Sequence, residues 1–146
     1  PGRSIVADTT VMLASVNVVK RAHVNFVATD AGFNVLARPM LYDSYHHVVA
    51  ANHAGEPDAE TVTVVGPICE TGDILAKDRP LPALCRGDVL AFLDAGAYGF
   101  SMASQYNGQP RPAEVLVCGA AADVTRRAED ASSLLAGQRI LPRLMK

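Results

Sequence analysis

Short apolar segments rich in β-branched residues alternate along the chain with clusters of turn-forming residues. The apolar pattern has little helical period and predicts strands over residues 4–19, 24–28, 48–51, 60–65, 89–93, 114–117 and 124–128. These strands are separated by turn-forming clusters at residues 30–34, 52–58, 66–73 and 78–82. Residues 38–46 predict a short helix with Pro39 at its first position, where the missing N–H has no cost. A second short helix is predicted from a cap at Asp130 to Leu135, with its end at Gly137.

Many short strands joined by turns, with few and small helices, predict a mostly-β fold, a β-barrel or sandwich. The chain has 146 residues, of which 49% are hydrophobic and 19% charged, and this composition suits one domain with its own core. No internal repeat or linker interrupts the pattern, so we expect a single compact domain over residues 1–146. The chain begins Pro-Gly-Arg without an initiator Met, and we expect that it was cut from something longer.

The composition argues against several classes of partner. The 13 basic and 15 acidic residues give a net charge of −2, which leaves no basic face for nucleic acid. No apolar stretch reaches the ~18 residues needed to cross a bilayer, so no membrane partner is expected. Three cysteines without CxxC spacing fit a reducing cytoplasm better than a disulfide framework, and the scattered histidines predict no metal site. We expect Cys85 and Cys118 to be buried as small hydrophobes.

The turn at residues 66–73 carries an unusual density of titratable side chains directly after an apolar strand. Its Cys69 thiol could donate a proton, and the carboxylates of Glu70 and Asp73 could hold an ammonium group. The alternative is a solvated turn with an incidental cysteine, and the loop alone does not decide between the two.

Three further groups could bind an anion. Arg38 is a planar, two-pronged donor suited to a carboxylate, and a helix would place Tyr42 on roughly the same face. Tyr98 lies between two nearby glycines that let a backbone approach a ligand, and its phenol can donate to phosphate. Gly2 and Arg3 could offer a backbone N–H and a guanidinium. Each group also has an ordinary structural interpretation, as a surface arginine, a loop tyrosine or a short terminal segment.

Several stretches of the chain form an ordered set of motifs. They are Pro-Gly-Arg at 1–3, Asp-Ala-Gly-Phe-Asn at 30–34, Arg-Pro-Met-Leu-Tyr-Asp-Ser-Tyr-His at 38–46, Gly-Pro-Ile-Cys-Glu-Thr-Gly-Asp at 66–73, Asp-Ala-Gly-Ala-Tyr-Gly-Phe-Ser-Met at 94–102, and Tyr-Asn at 106–107 with Arg-Pro-Ala-Glu-Val-Leu-Val at 111–117. The set spans nearly the whole chain. It resembles the C-terminal region of the diaminopimelate decarboxylases, in the alanine racemase-like family of pyridoxal-phosphate decarboxylases.

This resemblance implies a role for the anion-binding candidates. Gly2 and Arg3 match the end of a Glu-Pro-Gly-Arg motif, whose backbone cradles the cofactor phosphate and whose arginine meets the substrate. Arg38 and Tyr42 match the pair that grips a substrate carboxylate. Tyr98 matches the phenol that touches both the phosphate and the substrate.

The resemblance also implies the reaction and the assembly. Cys69 matches the family's proton donor, and Glu70 matches the acid that reads the far end of the substrate. The implied reaction converts meso-2,6-diaminopimelate to L-lysine and CO2 with pyridoxal 5′-phosphate as the cofactor. In this family the Cys-Glu loop reaches into the neighbouring subunit's site, so the resemblance implies a homodimer with composite sites.

The family's (β/α)8 barrel, which carries the lysine that binds the cofactor covalently, is not expected in this chain. Its lysines stand only at positions 20, 77 and 146, outside any matching motif. We therefore expect the family's C-terminal β-domain, inactive alone, with residues 1–3 as the end of the barrel. Two alternatives stay open: an ornithine- or arginine-type decarboxylase, whose usual motif is Cys-Asp-x-x-Asp, and a non-catalytic homologue that regulates a decarboxylase.

Overall fold

The computed structural model describes residues 1–144, which divide into two compact units, residues 1–103 and the residues from 104 onwards. The first unit contains α1 (Arg3–Val6), β1 (Met12–Lys20), β2 (Asn25–Thr29), α2 (Arg38–Tyr42), β3 (Val48–Ala50), β4 (Glu60–Val65), β5 (Ile74–Leu81) and β6 (Val89–Phe92). The second unit contains β7 (Glu114–Cys118), β8 (Ala121–Arg126) and α3 (Ala131–Leu135). Short 3-10 helices lie at Ala7–Thr9, Ala51–His53, Phe100–Met102, Tyr106–Gly108 and Pro142–Leu144. No helix within the described residues has the length and apolar character needed to cross a bilayer.

The first unit is built around a six-stranded sheet with the order β3-β6-β1-β2-β4-β5. β1 serves both halves of this sheet, because residues 12–15 pair with β6 and residues 16–20 pair with β2. A bulge between Val16 and Val18 lets the strand bend from one partner to the other. The end strands β3 and β5 contact each other, so the sheet curls into a nearly closed barrel. The predicted mostly-β barrel-type domain with short helices is confirmed.

The core of the first unit fills the inside of this curled sheet. Alternate residues of β1, β2 and β4 point inward, as the two-residue period of a strand requires. The largest fully buried side chains are Phe92, Leu36, Leu75, Leu90, Val16, Val27, Val62 and Val64. Burial of each such side chain contributes roughly 1.5–3 kcal/mol to folding, so this cluster holds the sheet closed.

The predicted strand over residues 4–19 is wrong in its first half. Residues 3–6 form α1, and the strand begins only at Met12. The Thr9 hydroxyl donates to the Val6 carbonyl at 2.7 Å and closes a turn between the two elements. Ile5 and Val6 are exposed, so their β-branched shape does not decide the local structure. The strands predicted at 24–28, 48–51, 60–65, 89–93 and 114–117 are confirmed within a residue or two.

The predicted turn at residues 78–82 is also wrong, because residues 78–81 continue β5. Asp78 has a positive φ of 50° and sits in an irregularity where Val62 pairs with Arg79 and Val64 pairs with Ala76. β5 is an end strand of the sheet, where the missing N–H of a proline breaks no ladder bond. Turn-forming residues here therefore shape a bulge rather than end the strand.

The second unit consists of the β7–β8 hairpin and α3. Gly119, at a φ of 59°, allows the tight turn that pairs Cys118 with Ala121. The hairpin shifts the last strand from the predicted residues 124–128 to Ala121–Arg126. The predicted cap is confirmed, since the Asp130 carboxylate accepts the backbone N–H of Ser133 at 2.8 Å. The prediction of a single domain over residues 1–146 stays a prediction.

All three cysteines are free and exposed. The expectation that Cys85 and Cys118 are buried is therefore wrong. Cys85 lies in the turn before β6, and Cys118 ends a strand of a hairpin whose side chains are mostly exposed.

Candidate active site

Arg38 begins α2, and its guanidinium is surrounded by aromatic rings. The guanidinium carbon lies 5.6 Å from the ring centroid of Tyr42 and 5.5 Å from that of Tyr98. The first of these contacts is the one that a four-residue helical spacing predicts. α2 ends at Tyr42, and the positive φ of 51° at Asp43 turns the chain back. The Arg38 Nη2 then donates to the Ser44 hydroxyl at 3.1 Å. Arg38 is thus held in place on several sides before any ligand binds.

Tyr98 projects from a tight turn and is 46% exposed. Its own φ of 60° lies in the left-handed region, which places the side chain outside the path of the turn. The turn packs closely against the start of the chain, since a Cβ on Gly96 would lie 2.0 Å from the Val6 carbonyl oxygen. The Gly96 N–H also donates to the Ala7 carbonyl at 2.9 Å. As a result the Tyr98 hydroxyl comes within 3.9 Å of the point where a Cβ on Gly2 would stand.

A pocket of about 370 Å³ opens beside Arg38. Its lining residues are Arg3, Ala7, Arg38, Ser44, Tyr45, His46 and Asp94. Two arginines therefore face one acidic residue, and this excess of positive charge favours an anionic group such as a carboxylate or a phosphate.

His46 joins the two segments that form the pocket. Its side chain is buried, at 3% exposure, and Nδ1 lies 2.9 Å from the Leu93 carbonyl oxygen. A carbonyl can only accept, so Nδ1 carries the proton of this bond. Leu93 immediately precedes the turn that carries Tyr98, while His46 follows the segment that carries Arg38. The bond therefore fixes the distance between these two parts of the site.

The Cys69–Glu70 turn is exposed and is held from beneath by Asp73. The two Asp73 carboxylate oxygens accept the backbone N–H groups of Phe33 and Ile68, each at 2.7 Å. The expectation that Asp73 holds an ammonium group is wrong, because its carboxylate is buried at 3% exposure and engaged with the backbone. Burial raises the pKa of Asp73, and the two backbone bonds offset this only in part.

This turn packs beside α2 without entering the pocket. A Cβ on Gly72 would lie 3.0 Å from Cγ of Met40. Met40 stands two residues after Arg38, so the two side chains leave the helix about 200° apart. Cys69 and Glu70 thus belong to a loop on the helix face turned away from Arg38, and neither lines the pocket.

The structure therefore brings most of the predicted site residues together and leaves two apart. The grouped residues are Gly2, Arg3, Arg38, Tyr42 and Tyr98. The separate residues are Cys69 and Glu70. Ser44 and His46 were missed as site residues, although both lie in the motif at 38–46 that could have drawn attention to them. Asp94 was also missed, although it is the first residue of the motif at 94–102.

Residues 5–96 match the protein family described as pyridoxal-dependent decarboxylase, C-terminal sheet domain. The chain is 58% identical over 140 residues to a diaminopimelate decarboxylase of Archaeoglobus fulgidus, covering 96% of this chain and 33% of that protein. It resembles the crystal structure of diaminopimelate decarboxylase from M. jannaschii in complex with L-lysine, with a TM-score of 0.92 and 38% identity over 99% of this chain and 33% of that one. A lysine/ornithine decarboxylase from Vibrio vulnificus in complex with putrescine is less similar, with a TM-score of 0.66 and 26% identity over 76% of this chain and 30% of that one.

The chain spans about a third of the length of the curated relative it matches. The family match includes all six strands of the curled sheet and the helix α2 that carries Arg38. The sequence motifs, the fold and these comparisons agree. The chain belongs to the pyridoxal-dependent decarboxylases and is similar to the C-terminal sheet domain of that family.

Proposed function

We propose that this chain forms one wall of the active site of a decarboxylase that converts meso-2,6-diaminopimelate to L-lysine and CO2 in lysine biosynthesis. The observation that carries the proposal is the Arg38 guanidinium, held between the rings of Tyr42 and Tyr98 in a pocket shared with Arg3. A substrate with a carboxylate at each end suits such a pocket, because a guanidinium binds a carboxylate through two parallel hydrogen bonds. The relative at 58% identity is named diaminopimelate decarboxylase, whereas the lysine/ornithine decarboxylase is only 26% identical.

The residues of this chain fit the phosphate edge of pyridoxal phosphate but not its covalent attachment. The backbone of Gly2 and the hydroxyl of Tyr98 are close neighbours, and both can donate hydrogen bonds to a phosphate. Neither Lys20 nor Lys77, the lysines among the described residues, lines the pocket. We propose that the lysine lies in a (β/α)8 barrel domain that completes the site, and that residues 1–3 are the end of that barrel. When bound, the cofactor supplies the electron sink for loss of CO2.

The side chains of this chain divide the remaining work between binding and proton transfer. Arg38 and Tyr42 hold a substrate carboxylate, and the Glu70 carboxylate accepts hydrogen bonds from the ammonium at the far end. After CO2 leaves, the Cys69 thiol donates a proton to the carbon that carried it. A thiol carries a transferable proton, so it can act as this general acid.

The position of the Cys69–Glu70 turn bears on the assembly. The turn lies beside the α2 face turned away from Arg38, so we propose that it serves the pocket of a second copy of the chain. The enzyme is then a homodimer with composite sites. We further propose that it is located in the cytoplasm. This chain alone binds no cofactor covalently and does not turn over substrate.

The test of the reaction uses the intact protein with diaminopimelate and with ornithine as substrates. We expect turnover of diaminopimelate, a loss of about 10²- to 10⁴-fold in kcat for Cys69→Ala, and unchanged kinetics for the exposed control Cys85→Ala. A preference for ornithine would replace the proposed substrate. Wild-type kcat in Cys69→Ala would remove the proton-donor assignment.

The test of the composite site mixes two impaired variants, Cys69→Ala with its low kcat and Arg38→Ala with its weak substrate binding, at a diaminopimelate concentration far below the KM of Arg38→Ala. In a mixed dimer, the subunit with an intact Arg38 receives its thiol from the partner that retains Cys69, so one pocket is complete. We therefore expect activity to return on mixing. If both residues serve the pocket of their own chain, no pocket is complete and no activity returns.

A further inference from the structure

The carboxylate of Asp73 connects two loops through hydrogen bonds. Its two oxygens accept N–H bonds from Phe33 in one loop and from Ile68 in the other, each at 2.7 Å. Its own backbone continues the connection, since the Asp73 N–H donates to the Glu70 carbonyl and its carbonyl accepts from the Gly66 N–H, both at 3.1 Å. Asp73 therefore binds the Cys69–Glu70 turn on both of its flanks.

Two glycines pack closely against this carboxylate. A Cβ on Gly32 would lie 2.7 Å and 2.8 Å from the two Asp73 oxygens. A Cβ on Gly66 would lie 2.3 Å from the Gly32 Cα and 2.4 Å from Asp73 Oδ2. Both positions require glycine, because the two loops touch at backbone distance with the carboxylate between them. This close packing transmits the placement of the carboxylate directly to the turn.

The choice of aspartate follows from hydrogen-bond geometry. Two converging N–H donors need two acceptor oxygens on one short side chain, and an ionised carboxylate provides them. An asparagine would set its amide NH2 against one of the donors. Burial of the carboxylate raises its pKa, which is a cost to folding that a purely packing residue would avoid.

We propose that Asp73 is the positioning residue for the proton donor, acting through the turn that presents Cys69 and Glu70. This proposal rests on the proposed function of Cys69. Ile68 is buried and bonded to the Asp73 carboxylate, and Cys69 is the next residue and is exposed. The carboxylate thus fixes the backbone from which the Cys69 thiol projects. A displacement of about 1 Å in such a group is enough to slow a reaction about 10²-fold.

The experiment places Asp73→Asn in the intact protein, both alone and in the Cys69→Ala background. Asp88→Asn is the matched control, because Asp88 is also buried, at 8% exposure, and its carboxylate accepts the Cys85 N–H at 2.8 Å in a different turn. We expect Asp73→Asn to lower kcat at least tenfold, about 1.4 kcal/mol. In the Cys69→Ala background we expect a further change of less than about twofold, because the acid through which Asp73 acts is already gone.

Residue-resolved hydrogen exchange provides a readout that does not depend on turnover. In Asp73→Asn, the amides of Phe33 and Ile68 should exchange faster, while Asp88→Asn leaves them unchanged. If Asp73→Asn does not fold, exchange in the wild-type protein still decides, since these two amides must open together. Separate opening of the two amides would overturn the proposal.

The kinetic outcomes separate this proposal from the proposed function. Equal losses of kcat in both backgrounds would make Asp73 a structural residue only, and so would wild-type kcat in Asp73→Asn beside an impaired Cys69→Ala. Wild-type kcat in Cys69→Ala would instead refute the proton-donor role. The exchange of the two amides would then show separately whether Asp73 holds the turn.

Discussion

Replacement of Arg38 by lysine tests the binding role of the pocket most directly. The substitution keeps the positive charge but removes the planar fork that can bind a carboxylate through two parallel bonds. In the structure the guanidinium lies between the rings of Tyr42 and Tyr98 and donates to the Ser44 hydroxyl. A lysine ammonium is a compact point charge and cannot keep these contacts together with two bonds to one carboxylate.

The magnitude follows from the bond that is lost. A hydrogen bond to a charged group contributes about 1.5–3 kcal/mol, which corresponds to a rise in KM of about 10- to 150-fold. The carboxylate that Arg38 holds does not react, so the bond is equally strong in the bound substrate and in the transition state. We therefore expect kcat to change little while KM rises.

The assay is steady-state decarboxylation of diaminopimelate by the intact protein, with thermal unfolding as a check that the variant folds. Arg21→Lys is the control, because Arg21 also makes a forked contact, with Glu60 at 3.1 Å and 2.7 Å, but its side chain is 55% exposed and does not line the pocket. Unchanged KM in Arg38→Lys would refute the binding role. A fall in kcat at constant KM would place Arg38 in the chemical step instead.

Three further predictions concern stability and pH. Leu90 is fully buried, so Leu90→Ala should lower the free energy of unfolding by about 2–5 kcal/mol, and an unchanged denaturant midpoint would contradict the described core. Hydrogen bonds from Arg111 lower the pKa of Glu129 from 4.5 to about 2, so this pair stabilises the fold fully above pH 4.5 and its contribution is lost as the pH falls through about 2. Glu129→Gln should flatten the dependence of stability on pH between these two values, and an unaltered slope would refute the pairing. A hydrogen bond to Glu56 is the main cause of the raised pKa of His53, so the charged imidazole stabilises the fold fully below pH 6.5 and this contribution is lost as the pH rises through the raised pKa. His53→Gln should therefore lower the free energy of unfolding below pH 6.5 and leave it unchanged well above the raised pKa, as denaturation at several pH values would show.

Helix starts that are set by local chemistry could be predicted from the sequence, although α2 ends at Tyr42 and not at His46 as predicted. Pro39 marks the start of α2 because its fixed φ and missing N–H suit the first turn of a helix. Asp130 marks α3 because its carboxylate reaches the free backbone N–H of Ser133. Such signals need only a few neighbouring residues, and tertiary packing does not override them here.

Elements whose character depends on their place in the sheet could not be predicted in the same way. The residues around Asp78 and Pro80 have turn chemistry, yet they continue β5, because an end strand tolerates both a bulge and a missing N–H. The β-branched Ile5 and Val6 suggest a strand, yet they lie in α1. Position at the edge of a sheet is a tertiary property that the local sequence does not carry.

The site residues show the same difference between contacts that follow from the local sequence and contacts that depend on tertiary packing. The contact between Arg38 and Tyr42 follows from helical spacing, whereas the approach of Tyr98 to Gly2 depends on a turn packed against the start of the chain. Asp73 shows the difference most clearly. Its spacing from Cys69 suggested a surface acid for ligand binding, but burial made it an acceptor for backbone N–H groups.

The incomplete closure of the barrel has a consequence for motion near the ligand. The sheet order leaves β3 and β5 as its two ends, and in the described residues they touch without sharing a backbone ladder. The seam is crossed instead by a side-chain contact, with the Arg79 guanidinium 3.8 Å from the ring centroid of Tyr45. Breathing of the barrel breaks the fewest hydrogen bonds along this seam, and Tyr45 also borders the pocket. A ligand in the pocket should therefore reduce motion first at the seam between β3 and β5, before it affects any strand at the centre of the sheet.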